Sequence, residues 1–163
     1  MIRPPRPEDT PALIALAEAS GIFQPNEATE LLGGVLEEFH DGRLGEDHRV
    51  EVWADEPAST PSGWVYFAPN AHADRVWDLW WIGVDPARHG QGIGGQLLGS
   101  VEAQVREAGG RVLIIETSTQ PALDPTRRFY ASKGYAECGR IPDFYAEGEG
   151  KVIFAKRMAR PPD

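Results

Sequence analysis

The chain has 163 residues, 41% hydrophobic and 25% charged, enough for one domain with a buried core. Its 16 Lys and Arg stand against 25 Asp and Glu, a net charge of −9. That excludes a sequence-blind grip on nucleic acid, which needs cationic surface to displace counterions. A single cysteine, Cys138, excludes an intrachain disulfide and a cysteine metal cluster.

No apolar run approaches the ~20 residues of a membrane span. The opening Met1-Ile2-Arg3-Pro4-Pro5 lacks the apolar core of a signal peptide, so the expectation is a cytoplasmic protein without membrane or nucleic-acid partners. The acidic excess favours solubility and would also steer a cationic substrate.

In chain order, Ile2 starts a short strand. Asp9 or Thr10 caps a helix with Pro11 in its first turn, and Leu13, Leu16 and Ala17 form its apolar face. Asn26 caps a second helix, where Leu31, Leu32, Val35, Leu36 and Phe39 recur at helical spacing. Three strands are predicted at Arg49–Trp53, Gly63–Ala68 and Val76–Val84, the last dense in Trp, Ile, Leu and Val. The Pro- and Ser-rich stretch 54–62 reads as a hairpin loop.

A glycine-rich turn, Gly90 to Gly95, opens a helix with the apolar face Ile93, Leu97, Leu98, Val101 and Val105. Gly109-Gly110 ends it. Val112–Glu116 is a short buried strand. Asp124-Pro125 starts a helix that runs to about Lys133 and stops at Gly134. Strands near Tyr135–Arg140 and Lys151–Met158 finish the chain. Strands and helices alternate only in part, which predicts a mixed α/β sheet in one domain over residues 1–163.

The run Asp85-Pro86-Ala87-Arg88-His89-Gly90-Gln91-Gly92-Ile93-Gly94-Gly95 lies between a strand and an amphipathic helix. The first amides of a helix lack internal partners and carry the positive end of its dipole. Glycines there let a pyrophosphate approach the backbone. Gly90, Gly92 and Gly95 also fit the dinucleotide pattern G-x-G-x-x-G, with Glu116 about twenty residues on. Against a nicotinamide dinucleotide (NAD) stand the five residues, 85–89, between strand and first glycine, and the short remainder after Glu116.

His89-Gly90-Gln91-Gly92-Ile93-Gly94 resembles the [Q/R]-x-x-G-x-[G/A] element of the GNAT acetyltransferase superfamily. Trp81–Pro86 is similar to that family's fourth strand and its exit. Pro125–Tyr135, with Phe129-Tyr130 and Gly134-Tyr135, resembles its A-x-x-F-Y-x-x-x-G-F element. The resemblance runs from about Trp77 to the end of the chain. It departs at His89, where the family has Gln or Arg, and at Asp124, where many members have Asn.

The resemblance implies the order β1-α1-α2-β2-β3-β4-α3-β5-α4-β6-β7, about seven strands and four helices. It implies acetyl-CoA as acyl donor, no metal, and transfer to a primary amine, with a small-molecule acceptor and a homodimer among the expectations. Gly90, Gln91, Gly92, Ile93, Gly94, Gly95 and His89 would hold the pyrophosphate. Ile82 and Val84 would face the acyl arm, in a slot where the strands ending at Val84 and Glu116 splay, and Asp124 would contact the arm. Tyr130 would protonate the departing thiolate. Glu116 is the first candidate for general base, with Asp78 or water as alternatives. Asp143 and Tyr145 are candidates to bind the acceptor ammonium. A non-catalytic acyl-CoA-binding module is the remaining reading, against which Tyr130 and Glu116 speak. The five tryptophans read as core, His40, His48 and His72 show no metal-ligand spacing, and Arg127-Arg128 reads as a solvated helix face.

Overall fold

The computed structural model describes residues 1–159. Its elements are β1 (Ile2–Arg3), α1 (Thr10–Ala19), α2 (Glu27–His40), β2 (Arg49–Trp53), β3 (Gly63–Pro69), β4 (Val76–Val84), α3 (Ile93–Glu107), β5 (Val112–Ser118), α4 (Asp124–Ser132), β6 (Ala136–Ala146) and β7 (Glu149–Arg157). The order is the one implied by the resemblance. The seven strands follow the sequence β1-β2-β3-β4-β5-β7-β6 across the sheet. The chain divides into two compact units, Met1–Ala68 with Trp81–Val101, and Pro69–Trp80 with the residues from Glu102 onward.

In the first unit β1, β2 and β3 form an antiparallel ladder from Ile2↔Trp53 to Arg49↔Phe67. Alternation sends Val50, Val52, Trp64 and Tyr66 into a core with Leu13, Ala17, Leu32 and Leu36 from α1 and α2, closed by Trp81. Trp64 donates its indole N–H to the Leu13 carbonyl at 3.1 Å. Arg3 meets Asp9 in a buried bidentate pair, 2.6 and 3.1 Å, which ties β1 to the start of α1. Two expectations change here. Leu31 lies outside the stripe, 55% exposed, while Ala28, Leu32 and Leu36 are buried and Val35 and Phe39 pack half-buried against the same core. Asn26 stands at the start of α2 in a left-handed conformation and makes no cap bond with its side chain. Glu27 instead reaches back to the Gln24 amide at 2.8 Å.

In the second unit β4 and β5 pair in parallel from Val76↔Val112 to Leu79↔Ile115. β7 pairs antiparallel with β5 along its full length, and with β6. Trp77, Leu79, Leu113, Ile115 and Phe154 are buried on one face. Tyr130 of α4 packs on that face against Phe154, ring centroids 5.7 Å apart. Trp80 departs from the all-core expectation for tryptophan and is 59% exposed. The stretch 143–150, expected as a loop, is mostly strand. β6 runs to Ala146 and β7 starts at Glu149, because Gly148 takes the positive φ of a tight turn and donates its amide to Asp143 at 2.7 Å.

Candidate active site

The end of β4 and the glycine turn are built within the first unit. Asp85 caps the short turn Pro86–Arg88 by accepting the Ala87 amide at 2.9 Å. Arg88 forks onto Asp55 at 2.9 and 3.0 Å and also bonds Gln91 at 2.8 Å. The side chain of His89 folds back to the Val84 carbonyl at 3.0 Å. Gly90 and Gly92 both have positive φ, 78° and 80°, and a Cβ at either would meet nothing within 4 Å. Their role is therefore backbone conformation and open approach rather than packing.

Gln96 is the first residue of α3 whose amide bonds back, to Gly92 at 3.0 Å, so Ile93, Gly94 and Gly95 have amides without partners inside the helix. Ile93, Leu97, Leu98, Val101 and Val105 are all buried, as the helical spacing predicted. Exposed glycines, free amides and the positive end of a 15-residue helix fit a phosphate anion. Ile82 and Val84, the predicted contacts to the acyl arm, lie half-buried on the last residues of β4. A Cβ on Gly83 would stand 2.4 Å from the Trp81 ring, so the indole lies flat along the strand there.

The candidate acid and base groups Tyr130, Asp78 and Glu116 lie in the second unit. Tyr130 is 4% exposed, and burial raises its phenol above the ordinary 10.0. Its hydroxyl makes no hydrogen bond among the described residues. Tyr135, 6.2 Å away between ring centroids, donates its own hydroxyl to Glu102 at 3.0 Å.

Asp78 is half-buried on β4 and accepts a hydrogen bond from the Asn70 amide at 2.9 Å. Burial pushes its carboxyl above the ordinary carboxylate value. The Asn70 hydrogen bond opposes that push, and the charge of Glu116 adds to it. Asp78 registers with Ile114, two residues before Glu116, so both acids stand on the same face of the sheet, opposite the face that carries Tyr130. Glu116 is ion-paired to Lys151 at 2.8 Å. The two are diagonal neighbours across β5 and β7, since Glu116 registers with Ile153. The Lys151 ammonium also sits 3.7 Å from the centre of the Phe144 ring and 6.0 Å from that of Tyr145.

Asp124 opens α4 and pairs with Arg127 and Arg128. Arg127 is not a solvated residue as expected. Its guanidinium donates to the carbonyls of Ser118 at 2.6 Å and Gln120 at 3.0 Å, bracing α4 to the end of β5. Asp143 and Tyr145 stand on β6, with Asp143 beside a cleft of ≈ 220 Å³ lined also by Thr119, Arg140, Pro142 and Gly150. No cluster of three or more His, Cys, Asp and Glu side chains arranged to hold a metal ion occurs among the described residues, and no described helix is long and apolar enough to cross a membrane. Sequence reading passed over Asn70, Lys151 and Glu102. Strand alternation flags only Lys151, a charged residue at a half-buried strand position, and nothing in the pattern names its partner.

The profile of the acetyltransferase (GNAT) family matches residues 14–135. A solved acetyltransferase assigned to the GNAT family from Desulfovibrio desulfuricans is 29% identical, covers 98% of this chain and 99% of its own, and superposes with a TM-score of 0.89. Two more distant structures share the fold. The ribosomal-protein-S18-alanine N-acetyltransferase of Escherichia coli is 17% identical, TM-score 0.75, over 100% of this chain and 96% of its own. An aminoglycoside 6′-N-acetyltransferase solved with coenzyme A is 18% identical, TM-score 0.75, over 100% of this chain and 99% of its own. No protein of curated function matches the chain in sequence. The mostly antiparallel sheet lacks the successive parallel βαβ units of a dinucleotide fold. With its family profile, its strand order and its glycine turn in agreement, the chain belongs to the GNAT family of acetyltransferases.

Proposed function

We propose that the protein transfers an acetyl group from acetyl-CoA directly to a primary amine on a small cationic molecule. The observation that carries the donor half is the glycine turn, with bare positive-φ glycines leading into unpartnered helix amides. Bound acetyl-CoA supplies a thioester, an acyl group activated toward amines. The amides of Gly90 to Gly95, with Gln91 beside them, hold the pyrophosphate, and His89 orders the turn through its bond to Val84. The backbone of Ile82 and Val84 orients the acyl arm, and a backbone N–H at Val84 stabilises negative charge on the acetyl oxygen. Asp124 holds the arm only if it exchanges Arg127 or Arg128 for that contact.

An alkylammonium has a pKa near 10.4 and must lose a proton before it attacks. Of the two acids that share a sheet face, Glu116 is ion-paired to Lys151 at 2.8 Å. Asp78 has no cationic partner among the described residues, and its proton affinity is raised. Asp78 therefore takes the proton, and Glu116 tunes it by charge. Tyr130 gives a proton to the departing thiolate, and its raised phenol pKa keeps it in the donor form. Tyr130→Phe is expected to lower turnover by about 10²–10⁴-fold. Unchanged turnover would remove the role.

For the acceptor, Tyr145 and the second carboxylate oxygen of Asp143 are proposed to meet the ammonium, within a chain of net charge −9. Asp143→Ala should raise the acceptor KM with the acetyl-CoA affinity unchanged. An unchanged acceptor KM would discard the pair. The donor is tested by calorimetric titration with acetyl-CoA against an NADH control. Binding of acetyl-CoA alone supports the assignment and sets up an amine screen. Binding of NADH alone overturns it.

A further inference from the structure

The hydroxyl of Tyr130 makes no hydrogen bond among the described residues, so its direction is set only by what packs around the ring and holds its backbone. Phe129 and Phe154 pack the ring at 5.7 Å each, and the third ring contact and the backbone both lead to one buried cluster. The carbonyl of Tyr130 accepts the Tyr135 amide at 3.1 Å, across the left-handed Gly134 at φ 87° that ends α4. The ring of Tyr135 stands edge-on to that of Tyr130, and its hydroxyl donates to Glu102 at 3.0 Å.

Glu102 is only 8% exposed. It accepts Lys156 at 2.9 Å on the same oxygen as Tyr135, and Arg106 at 3.0 Å on the other. Lys156 then donates to the Lys133 carbonyl at 2.8 Å, the C-terminal end of the helix that carries Tyr130. A cation there satisfies an orphan carbonyl and complements the helix dipole. The contacts close a ring: Tyr130, Tyr135, Glu102, Lys156, and back to the end of α4.

We propose that Glu102, Tyr135 and Lys156 are positioning residues that aim the Tyr130 hydroxyl. The proposal rests on the reading of Tyr130 as the proton donor. It also divides the work of two neighbouring buried tyrosines. Tyr135 spends its hydroxyl on a carboxylate and acts as a wall, and Tyr130 keeps its hydroxyl free for chemistry. A bare carboxylate could not be buried here without its partners, so the cluster behaves as one rigid unit rather than three separable contacts.

The test is a double-mutant cycle between Tyr135→Phe and Tyr130→Phe, with kcat, acetyl-CoA KM and Tm measured for each. Tyr135→Phe keeps the ring and removes only the anchor. It is expected to lower kcat by about 10–10²-fold through misplacement of the acid, with acetyl-CoA KM within about twofold of wild type. In the Tyr130→Phe background it is expected to cost no further turnover.

A lowered Tm with wild-type kcat would make the cluster merely structural and overturn the proposal. So would an equal loss of kcat in both backgrounds. Wild-type turnover in Tyr130→Phe alone would instead sink the proton-donor reading beneath it. If Tyr135→Phe does not fold, Lys156→Gln probes the same ring from the helix end and Lys156→Arg should restore kcat. Failure of that rescue in a folded Lys156→Arg protein would count against the proposal.

Discussion

Asp78 and Glu116 share a face, yet the structure gives them opposite surroundings. Glu116 has a cation at 2.8 Å. Asp78 has only an amide, Asn70, and partial burial, which moves its carboxyl above the ordinary 3.8. A general base works only when deprotonated, so kcat/KM should fall as pH drops through that raised value. Asp78→Asn should abolish this acidic limb and lower kcat/KM by about 10²–10⁴-fold. Glu116→Gln should keep the limb and move it to lower pH, because one of the two upward pushes on Asp78 is gone. The pH–rate profiles of the two variants decide between them. A limb that vanishes in Glu116→Gln and persists in Asp78→Asn would reverse the assignment. Tyr130, raised by burial, should add no alkaline limb below pH about 10.

At the scale of elements, the glycine turn was legible because its signal is local. Strand, glycines and helical stripe fall within one continuous stretch, and a Cβ-free residue at positive φ has few replacements. Gly92→Ala meets no clash, since nothing lies within 4 Å of the new Cβ. Its cost is the backbone alone, about 1–2 kcal/mol at φ 80°. If relaxing that strain turns the amides away, acetyl-CoA should bind about tenfold more weakly, the equivalent of about 1.4 kcal/mol. Gly42, at φ 69° with the same open surroundings, is the control, and Gly42→Ala should leave acetyl-CoA affinity unchanged by calorimetry. Equal affinity for wild type and Gly92→Ala would show that the turn tolerates the change and does not depend on that conformation.

Other elements were legible only in outline. β2 and β4 carry the predicted bounds because alternation and β-branched or aromatic density agree there. The last hairpin reads too short from the sequence, because Asp143-Phe144-Tyr145 has turn composition, while the pairing of β6 with β7 is irregular past Ile141↔Lys151 and resumes at Ala146↔Glu149. Leu31 and Trp80 fit a hydrophobic pattern but face outward, since composition names no neighbour. The long-range polar contacts that shape the site are beyond reach for the same reason. Glu102 meets Tyr135 across 33 positions and Lys156 across 54, and no periodicity encodes such a pairing.

Over the whole molecule, the three acids with shifted titration that are buried or half-buried, Asp9, Asp78 and Glu102, should write the stability-versus-pH curve, one of them with opposite sign. Burial alone would raise Asp9 and Glu102, but both end below their ordinary values. Hydrogen bonds from Arg3 and the Arg6 backbone outweigh burial at Asp9, and those from Lys156 and Tyr135 do so at Glu102. A carboxyl lowered on folding contributes stability that is complete above its unfolded value and lost as pH falls through the folded one. With ordinary values of 3.8 and 4.5, Tm should be level at neutral pH and fall steeply below pH about 4. Each unit holds one of these acids, so acid should unfold both. Asp78 runs the other way. Its folded value is raised, so its stabilisation is present below pH 3.8 and lost as pH rises through the folded value. At pH 7 its charge is held in the fold at a cost. Asp78→Asn should therefore raise Tm at pH 7, by about 2–4 °C for each kcal/mol released, and the gain should vanish below pH 3.8. A variant that is inactive and more stable at neutral pH is what a base kept for chemistry predicts. A fall in Tm at pH 7 would mean that Asp78 serves the fold, and the proton would need another acceptor.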